Sequence, residues 1–463
     1  MQLVQALRLG EIPRLALVGS GGKTTALFKL AGELSARSKP QHCTVLVSAS
    51  THLAVDQVQF GDHYYCATSP EQIEDICSRL PTGVVLFTGS QAEPERVAGL
   101  DFPALLALKR IADDRGLPLL IEADGSRQKP LKAPADHEPV IPPWIEQVVV
   151  VAGLSGLGKP LGQAWVHRPE RFAELTGLQV GETVTPEALM GELTHPAGGL
   201  KGIPPGARRL ALLNQADSEA LQGMALGMAA LLLRAYQAVV VAALAPEESS
   251  SGEPETSVLA VHEGVAGIIL AAGAASRMGV PKQLLLWRGE PFVRHVGRAA
   301  LQAGLHPVVL VSGAESEAVR QAVQDMPIQV VQNNAWQFGQ STSVRAGLQA
   351  LPADTGAAVF LLADQPLVSV ELLRSLVALH ARELHPIVAP LMDGQRANPV
   401  LFDRQTFPDL LRLSGDTGGR ALFSRYQPGW LTWHDRSVMV DIDTPQDYER
   451  FIENDRSEIG DHP

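Results

Sequence analysis

Short runs of apolar, often β-branched residues recur along the chain, separated by longer stretches with helical spacing. In the first half they are Leu15–Val18, Thr44–Ser48, Gly83–Thr88, Leu119–Glu122, Val148–Ala152, Leu210–Leu213 and Ala238–Ala243. In the second half they are Ala266–Ala271, Pro307–Ser312, Gln329–Gln332, Ala357–Ala363 and Pro386–Pro390. Such runs predict strands buried on both faces, and the helical stretches between them predict parallel crossovers. The expected fold class is therefore α/β, as two three-layer domains. Gly223–Leu244 is the most apolar stretch, but Arg234 and Gln237 interrupt it. It predicts a buried helix followed by the strand Ala238–Ala243, not a membrane span. No short period repeats, which excludes a solenoid.

Length agrees with two domains, because 463 residues exceed the ~250–300 at which one core stops growing. Between Ala245 and Gly264 the sequence PEESSSGEPETSVLAVHEG opens rich in Pro, Ser, Gly and Glu. It predicts a linker at 246–264 between domains 1–245 and 265–463. The net charge of −12 argues against a general partner among nucleic acids or anionic membranes, while leaving room for a local nucleotide site. Cys43, Cys66 and Cys77 form neither a CxxC pair nor a metal-ligand spacing. With no signal-like N-terminus, a cytoplasmic protein is expected.

The chemistry of the second half begins at VAGIILAAGAASRMGVPKQ, residues 265–283. An apolar strand runs into a loop of small residues, including Ala271, Ala272, Gly273, Ser276 and Gly279. Small side chains let backbone N–H groups approach a phosphate chain. Arg277 and Lys282 follow, placed to neutralise a triphosphate and stabilise a departing pyrophosphate. Further on, VFLLADQP delivers Asp364 at a strand's carboxyl end, where α/β sheets bind ligands. Magnesium ligation and helix capping are both open there. In MVDIDTPQDY, Asp441 and Asp443 alternate on an expected strand, and a helix starts at Thr444-Pro445 with Asp443 or Thr444 as cap. One aspartate can share the metal. Ser341 and Ser343 in GQSTSVRAG sit at a helix start, where N–H groups and hydroxyls meet a base or phosphate. Arg396 and Asn398 of GQRANPV and Arg420 of SGDTGGR lie in glycine-rich loops suited to an acceptor phosphate, or to solvated surface charge.

In this order, LAAGxxxRMGxPKQ, GxSxSxRxGL, ADQP, GxRxNPV, SGDxGxR and DIDTPxDY resemble the molybdenum cofactor cytidylyltransferases across nearly the whole of 265–463. The resemblance implies a Rossmann-like nucleotidyltransferase domain that moves CMP from CTP onto Mo-molybdopterin with magnesium, releasing pyrophosphate. LAAG followed by VPKQ is similar to the cytidylyl members. Guanylyl relatives usually carry LAGG and a further Gly-rich stretch. GTP or another phosphorylated acceptor is the alternative.

In the first half, LALVGSGGKTT carries Gly19, Ser20, Gly21, Gly22, Lys23, Thr24 and Thr25 between a strand and a helical pattern. This is P-loop chemistry: amides cradle phosphates, Lys23 reaches the terminal ones, and Thr24 can hold magnesium. Leu17 stands where GxxxxGK[ST] has its first glycine, and the shorter GxxGKTT form resembles the ATP loop of the Mur-ligase type. LLIEADGS ends in Glu122 and Asp124, which can hold the metal as in a Walker B segment, or Asp124 can serve the turn at Gly125. Lys129, Lys132, His137, Lys159 and Arg168 lie in Pro- and Gly-rich loops suited to an anion. NQAD, residues 214–217, resembles the base-reading NKxD of GTPases with Gln215 replacing lysine.

GSGGKTT, TH, EADGSRxxPLKAPADHEPVIP, GLGKPL, VHRPExF and NxAD together resemble the selenium-dependent molybdenum hydroxylase accessory proteins of the YqeC type, over residues 1–245. That resemblance implies ATP or GTP binding and a molybdenum hydroxylase as protein partner, or a nucleotide-gated chaperone role.

Overall fold

The computed structural model describes residues 1–37, 43–244, 257–273, 278 and 280–460, with backbone alone at 257 and 456–460. It divides into two compact units, Met1–His262 and Glu263–Pro463.

The first unit is built on nine strands, in the spatial order Ser257–Glu263, Ala238–Ala243, Arg208–Asn214, Gln147–Gly153, Arg14–Gly19, Leu119–Glu122, Thr44–Ala49, Gly83–Thr88 and His63–Cys66. From Ala238–Ala243 to His63–Cys66 every pairing is parallel. Leu15 and Leu17 on the central strand, and Leu119 and Ile121 beside it, are fully buried, as strands covered on both faces require. Helix Lys23–Arg37 buries Ala26, Leu27, Leu30, Ala31 and Leu34, one stripe at three- and four-residue spacing. The helix Glu219–Leu232 and strand Ala238–Ala243 divide the apolar stretch as expected, but the helix is buried on one face only: Ala225, Met228, Ala229 and Leu232 are buried while Met224, Leu226 and Leu231 are exposed. Among the described residues no helix is long and apolar enough to cross a membrane.

Two strands depart from expectation. His63–Cys66 is an edge strand of alternating exposure, too polar to stand out as an apolar run. Ser257–Glu263 lies inside the expected linker, yet Val258, Ala260 and Val261 are buried against the edge of the sheet. Residues 246–256 of that linker lie outside the described residues. The Pro- and Ser-rich composition of its start hid the short apolar run Val258–Val261 at its end.

In the second unit the order is Gln329–Gln332, Val308–Ser312, Val265–Ala271, Ala357–Leu362, Val400–Asp403, Ile387–Met392 and Gln395–Arg396, with Pro428–Thr432 beside Ile387–Met392. The first four strands are parallel. Val400–Asp403 runs antiparallel to both neighbours, so the sheet is mixed rather than wholly parallel. The cause is a tight return at Asp393-Gly394, both at positive φ, which leaves no length for a crossover. Val293, Val296, Leu372 and Leu376 pack on one face of the sheet, Val344 and Leu348 on the other, giving three layers.

Candidate functional site

Chain direction changes sides of the sheet between Val265–Ala271 and Ala357–Leu362. This is the switch point at which open α/β sheets leave a crevice beyond their carboxyl ends. A cleft of about 720 Å³ opens there, lined among others by Ala271, Ala272, Gly273, Lys282, Ser343 and Asp364. Ser276, Arg277 and Gly279 lie outside the described residues.

Lys282 starts a short 3-10 helix, Lys282–Leu284. Its neighbour Gln283 is buried and donates from Nε2 to the Ala271 carbonyl at 3.3 Å, tying lysine and loop together. Lys282 pairs with Asp443 and lies 3.9 Å from Asp364. Burial, and the neighbouring carboxylates of Asp441 and Asp443, hold the Asp364 carboxyl above its ordinary range against the pull of Lys282. Burial and Asp443 do the same to Asp441. Carboxylates that crowd one lysine are the hard-oxygen set a divalent cation relieves. Among the described residues no group of three acidic or imidazole side chains stands at metal-holding distance.

The capping alternatives separate cleanly. The helix after Asp364 begins at Val370, and Ser369 caps it by accepting from Leu372 N at 3.1 Å. Asp364 is thus no cap. At the other acidic segment Thr444 and Asp447 cap each other, with Thr444 N donating to Asp447 Oδ2 at 2.9 Å and Asp447 N to Thr444 Oγ1 at 3.2 Å. That leaves Asp443 facing Lys282. The expected strand at Asp441–Asp443 is absent: the segment has no ladder partner and is pinned by buried Ile442 in a cluster with Phe292 and Phe451.

Ser341 and Ser343 begin helix Gln340–Gln349 as expected, with different partners. Ser343 faces the cleft and accepts from Asn333 Nδ2 at 3.0 Å. Ser341 instead donates to the Gly415 carbonyl at 2.7 Å, fastening the SGDTGGR loop to the helix start. Gly339 has φ +105°, and a Cβ there would fall 2.3 Å from the Gly415 carbonyl carbon. A second cavity of about 260 Å³ shares Leu270, Gln340 and Leu362 with the first and adds Arg396, Asn398 and Arg420. The structure therefore gathers these three residues in a cavity that adjoins the cleft at Ala271–Gly273. Sequence reasoning missed Gln283 and Asn333, whose roles are to hold other residues and carry no motif chemistry of their own.

In the first unit, Gly19, Gly21 and Gly22 take φ of +95°, +77° and +115°. The amides of Gly19, Ser20 and Gly21 donate within the protein, to Asp124 Oδ2, Val151 O and Lys129 O. Outward donors are then the first-turn amides of the helix at Lys23. Lys23 is buried, donates to Gly19 O at 2.8 Å, and lies 3.2 Å from Asp124 and 3.6 Å from Glu122. Burial opposes its charge, but the two carboxylates outweigh that and raise its basicity. Thr24 Oγ1 donates to Glu122 at 2.9 Å and accepts from Gln57 at 3.2 Å. The buried Asp124 Oδ1 is the oxygen that faces the Lys23 ammonium at 3.2 Å, while Oδ2 accepts from Gly19 N and Lys132, so the carboxylate is held between two lysines.

Three expectations fail here, the first being that the amides of Gly19, Ser20 and Gly21 cradle phosphates, since all three donate inside the protein. Lys132 and Arg168 are not free for an anion: Lys132 binds Asp124 at 2.7 Å and Glu138 at 3.1 Å, and Arg168 clasps Glu138 at 2.8 Å. Asn214 reads no base. Its Nδ2 donates to Gly21 O at 2.8 Å and its Oδ1 accepts from Leu244 N at 2.9 Å, bracing the glycine loop.

Comparison with known proteins matches residues 267–429 to the MobA-like NTP transferase domain and residues 15–170 to the YqeC protein family. The uncharacterized protein YqeC of Escherichia coli is 34% identical over 45% of this chain and 81% of its own length. Nicotine blue oxidoreductase of Paenarthrobacter nicotinovorans is 33% identical over 41% of this chain and 96% of its own. A probable molybdenum cofactor guanylyltransferase of Bacillus cereus is 33% identical over 29% of this chain and 66% of its own. With the strand-end cleft formed by the second unit, these matches identify the chain as a nucleotidyltransferase that joins a YqeC domain to a domain of the MobA-like NTP transferase family.

Proposed function

We propose that the second unit transfers CMP from CTP to the terminal phosphate of Mo-molybdopterin, giving molybdopterin cytosine dinucleotide and pyrophosphate. The observation that carries this reading is the pair of adjoining cavities. One has Lys282 and Asp364 beside the small-residue loop, and the other has Arg396, Asn398 and Arg420. The molybdenum cofactor as acceptor is supported by the motif resemblance and by the guanylyltransferase relative. CTP is supported by the LAAG and VPKQ sequence of the loop.

An acceptor phosphate is already an anion, so no protein nucleophile is needed, and positioning with charge neutralisation carries the rate. Ala271, Ala272 and Gly273 admit the phosphate chain closely. Lys282 turns from Asp443 to the phosphates, while Arg396 and Arg420 hold the attacking group. Asp364, with Asp441 or Asp443, would hold magnesium, which supplies neutralisation of the triphosphate and the leaving pyrophosphate. Incubation with CTP, magnesium and Mo-molybdopterin should release pyrophosphate and yield the cytosine dinucleotide. Turnover with GTP but not CTP would overturn the cytidylyl assignment. Asp364→Asn should lower kcat about 100-fold or more, read by the same assay.

For the first unit the proposal is a P-loop nucleotide site, for ATP or GTP, that serves molybdenum hydroxylase maturation. Lys23 and Thr24 face the phosphates, and Asp124 with Glu122 would hold magnesium. Tethering keeps the dinucleotide at high local concentration for this step. Lys23→Ala should abolish nucleotide binding by the first unit, measured by titration calorimetry, while CMP transfer by the second persists. Full hydroxylase maturation by that variant would remove the nucleotide from the scheme.

A further inference from the structure

Beyond Arg396 and Arg420 the groove continues into an open cavity of about 660 Å³, bordered by Phe423, Pro428 and Trp430. Sheet register explains the arrangement. Arg396 is paired across from Leu391, and Trp430 across from Ala389, two positions apart on one strand. Both side chains therefore rise from the same face of the sheet. Phe423 arrives on the same face from the 3-10 helix Gly419–Ser424, with its ring 5.8 Å from Trp430 and inclined by 32°. The Arg396 guanidinium lies 4.4 Å from the Phe423 centroid. Burial and the charge of Arg420 both make the Arg396 charge harder to hold, as in a site shaped to receive negative charge. Trp430 is 42% exposed, an expensive place for a large aromatic surface unless something covers it.

We propose that Trp430 and Phe423 form the platform on which the acceptor's planar nitrogen heterocycle stacks, while Arg396 and Arg420 hold its anionic side towards the nucleotide cleft. This rests on the transfer reaction proposed above and adds its specificity determinant. Two guanidiniums alone would accept any sugar or alcohol phosphate. The aromatic pair selects a flat ring on the far side of the charge, because stacking on it requires a π-face.

The test uses the full chain, pterin-6-carboxylate as a ring probe and glycerol 3-phosphate as a ring-free control. Trp430→Ala should weaken pterin-6-carboxylate binding about tenfold by equilibrium dialysis. It should also raise the KM for Mo-molybdopterin by a similar factor, with a far smaller change in nucleotide KM. Trp430→Phe should restore most of the loss, and glycerol 3-phosphate binding should not follow the substitution. Equal affinity of Trp430→Ala and the natural chain for the pterin would overturn the platform, even if the dinucleotide is made. Trp430-dependent pterin binding without any dinucleotide would instead overturn the transfer reaction and leave the platform standing.

Discussion

Glu192 on helix Pro186–Thr194 is 5% exposed and belongs to none of the motifs. Burial pushes its carboxyl up to about 8, with Asp124 adding to the rise and Lys132 opposing it. Folded, it keeps its proton to about pH 8; unfolded, it loses it near the ordinary 4.5. Stability from the protonated form is complete below about pH 4.5 and is lost as pH rises through about 8. Glu192→Gln should therefore raise the unfolding midpoint more at pH 8 than at pH 5. An equal change at both pH values would refute the buried neutral acid. Such a residue is invisible in sequence, because its neighbours lie some sixty positions away along the chain. Lys282 and Asp364 were legible for the opposite reason: each stands in a short chemical motif beyond a buried apolar strand, Asp364 by two residues and Lys282 by eleven. Lys132 misled because a lysine in a Pro-rich loop carries no mark of its two carboxylate partners.

At the scale of elements, the apolar runs located most strands to within a residue or two, since burial on both faces leaves a continuous signature. Strands with one face at an edge, such as His63–Cys66 and Pro428–Thr432, escaped because half their positions are polar or exposed. The segment Asp441–Asp443 shows a different limit. Alternation brings both aspartates to one side around buried Ile442, but a strand also needs a hydrogen-bonding neighbour, and none is there. The docking of the SGDTGGR loop onto helix Gln340–Gln349 was equally hidden, although Gly339 marks it. Gly339→Ala should cost about 1–3 kcal/mol through its backbone conformation alone. It should also displace the loop bearing Arg420. Denaturant unfolding and the acceptor KM measure the two effects, and an unchanged KM would show that loop position does not govern acceptor binding.

For the whole molecule, the first sheet is complete only when Ser257–Glu263 lies along Ala238–Ala243. A chain ended at Ala245, where composition suggests the domain stops, would expose a row of unpaired backbone groups beside fully apolar Val239, Val240 and Val241. A chain ended at Glu263 would keep it covered. The shorter version should aggregate at lower temperature in light scattering, and equal behaviour of the two would show that the last strand is dispensable. During translation the same geometry sets an order of events. Strand Ala238–Ala243 is complete at residue 243, yet its outer edge cannot be sealed until Ser257–Glu263 has followed, about 20 residues later. For that interval the nascent first unit carries an open apolar margin, and it is sealed by the last residues made before the second unit begins.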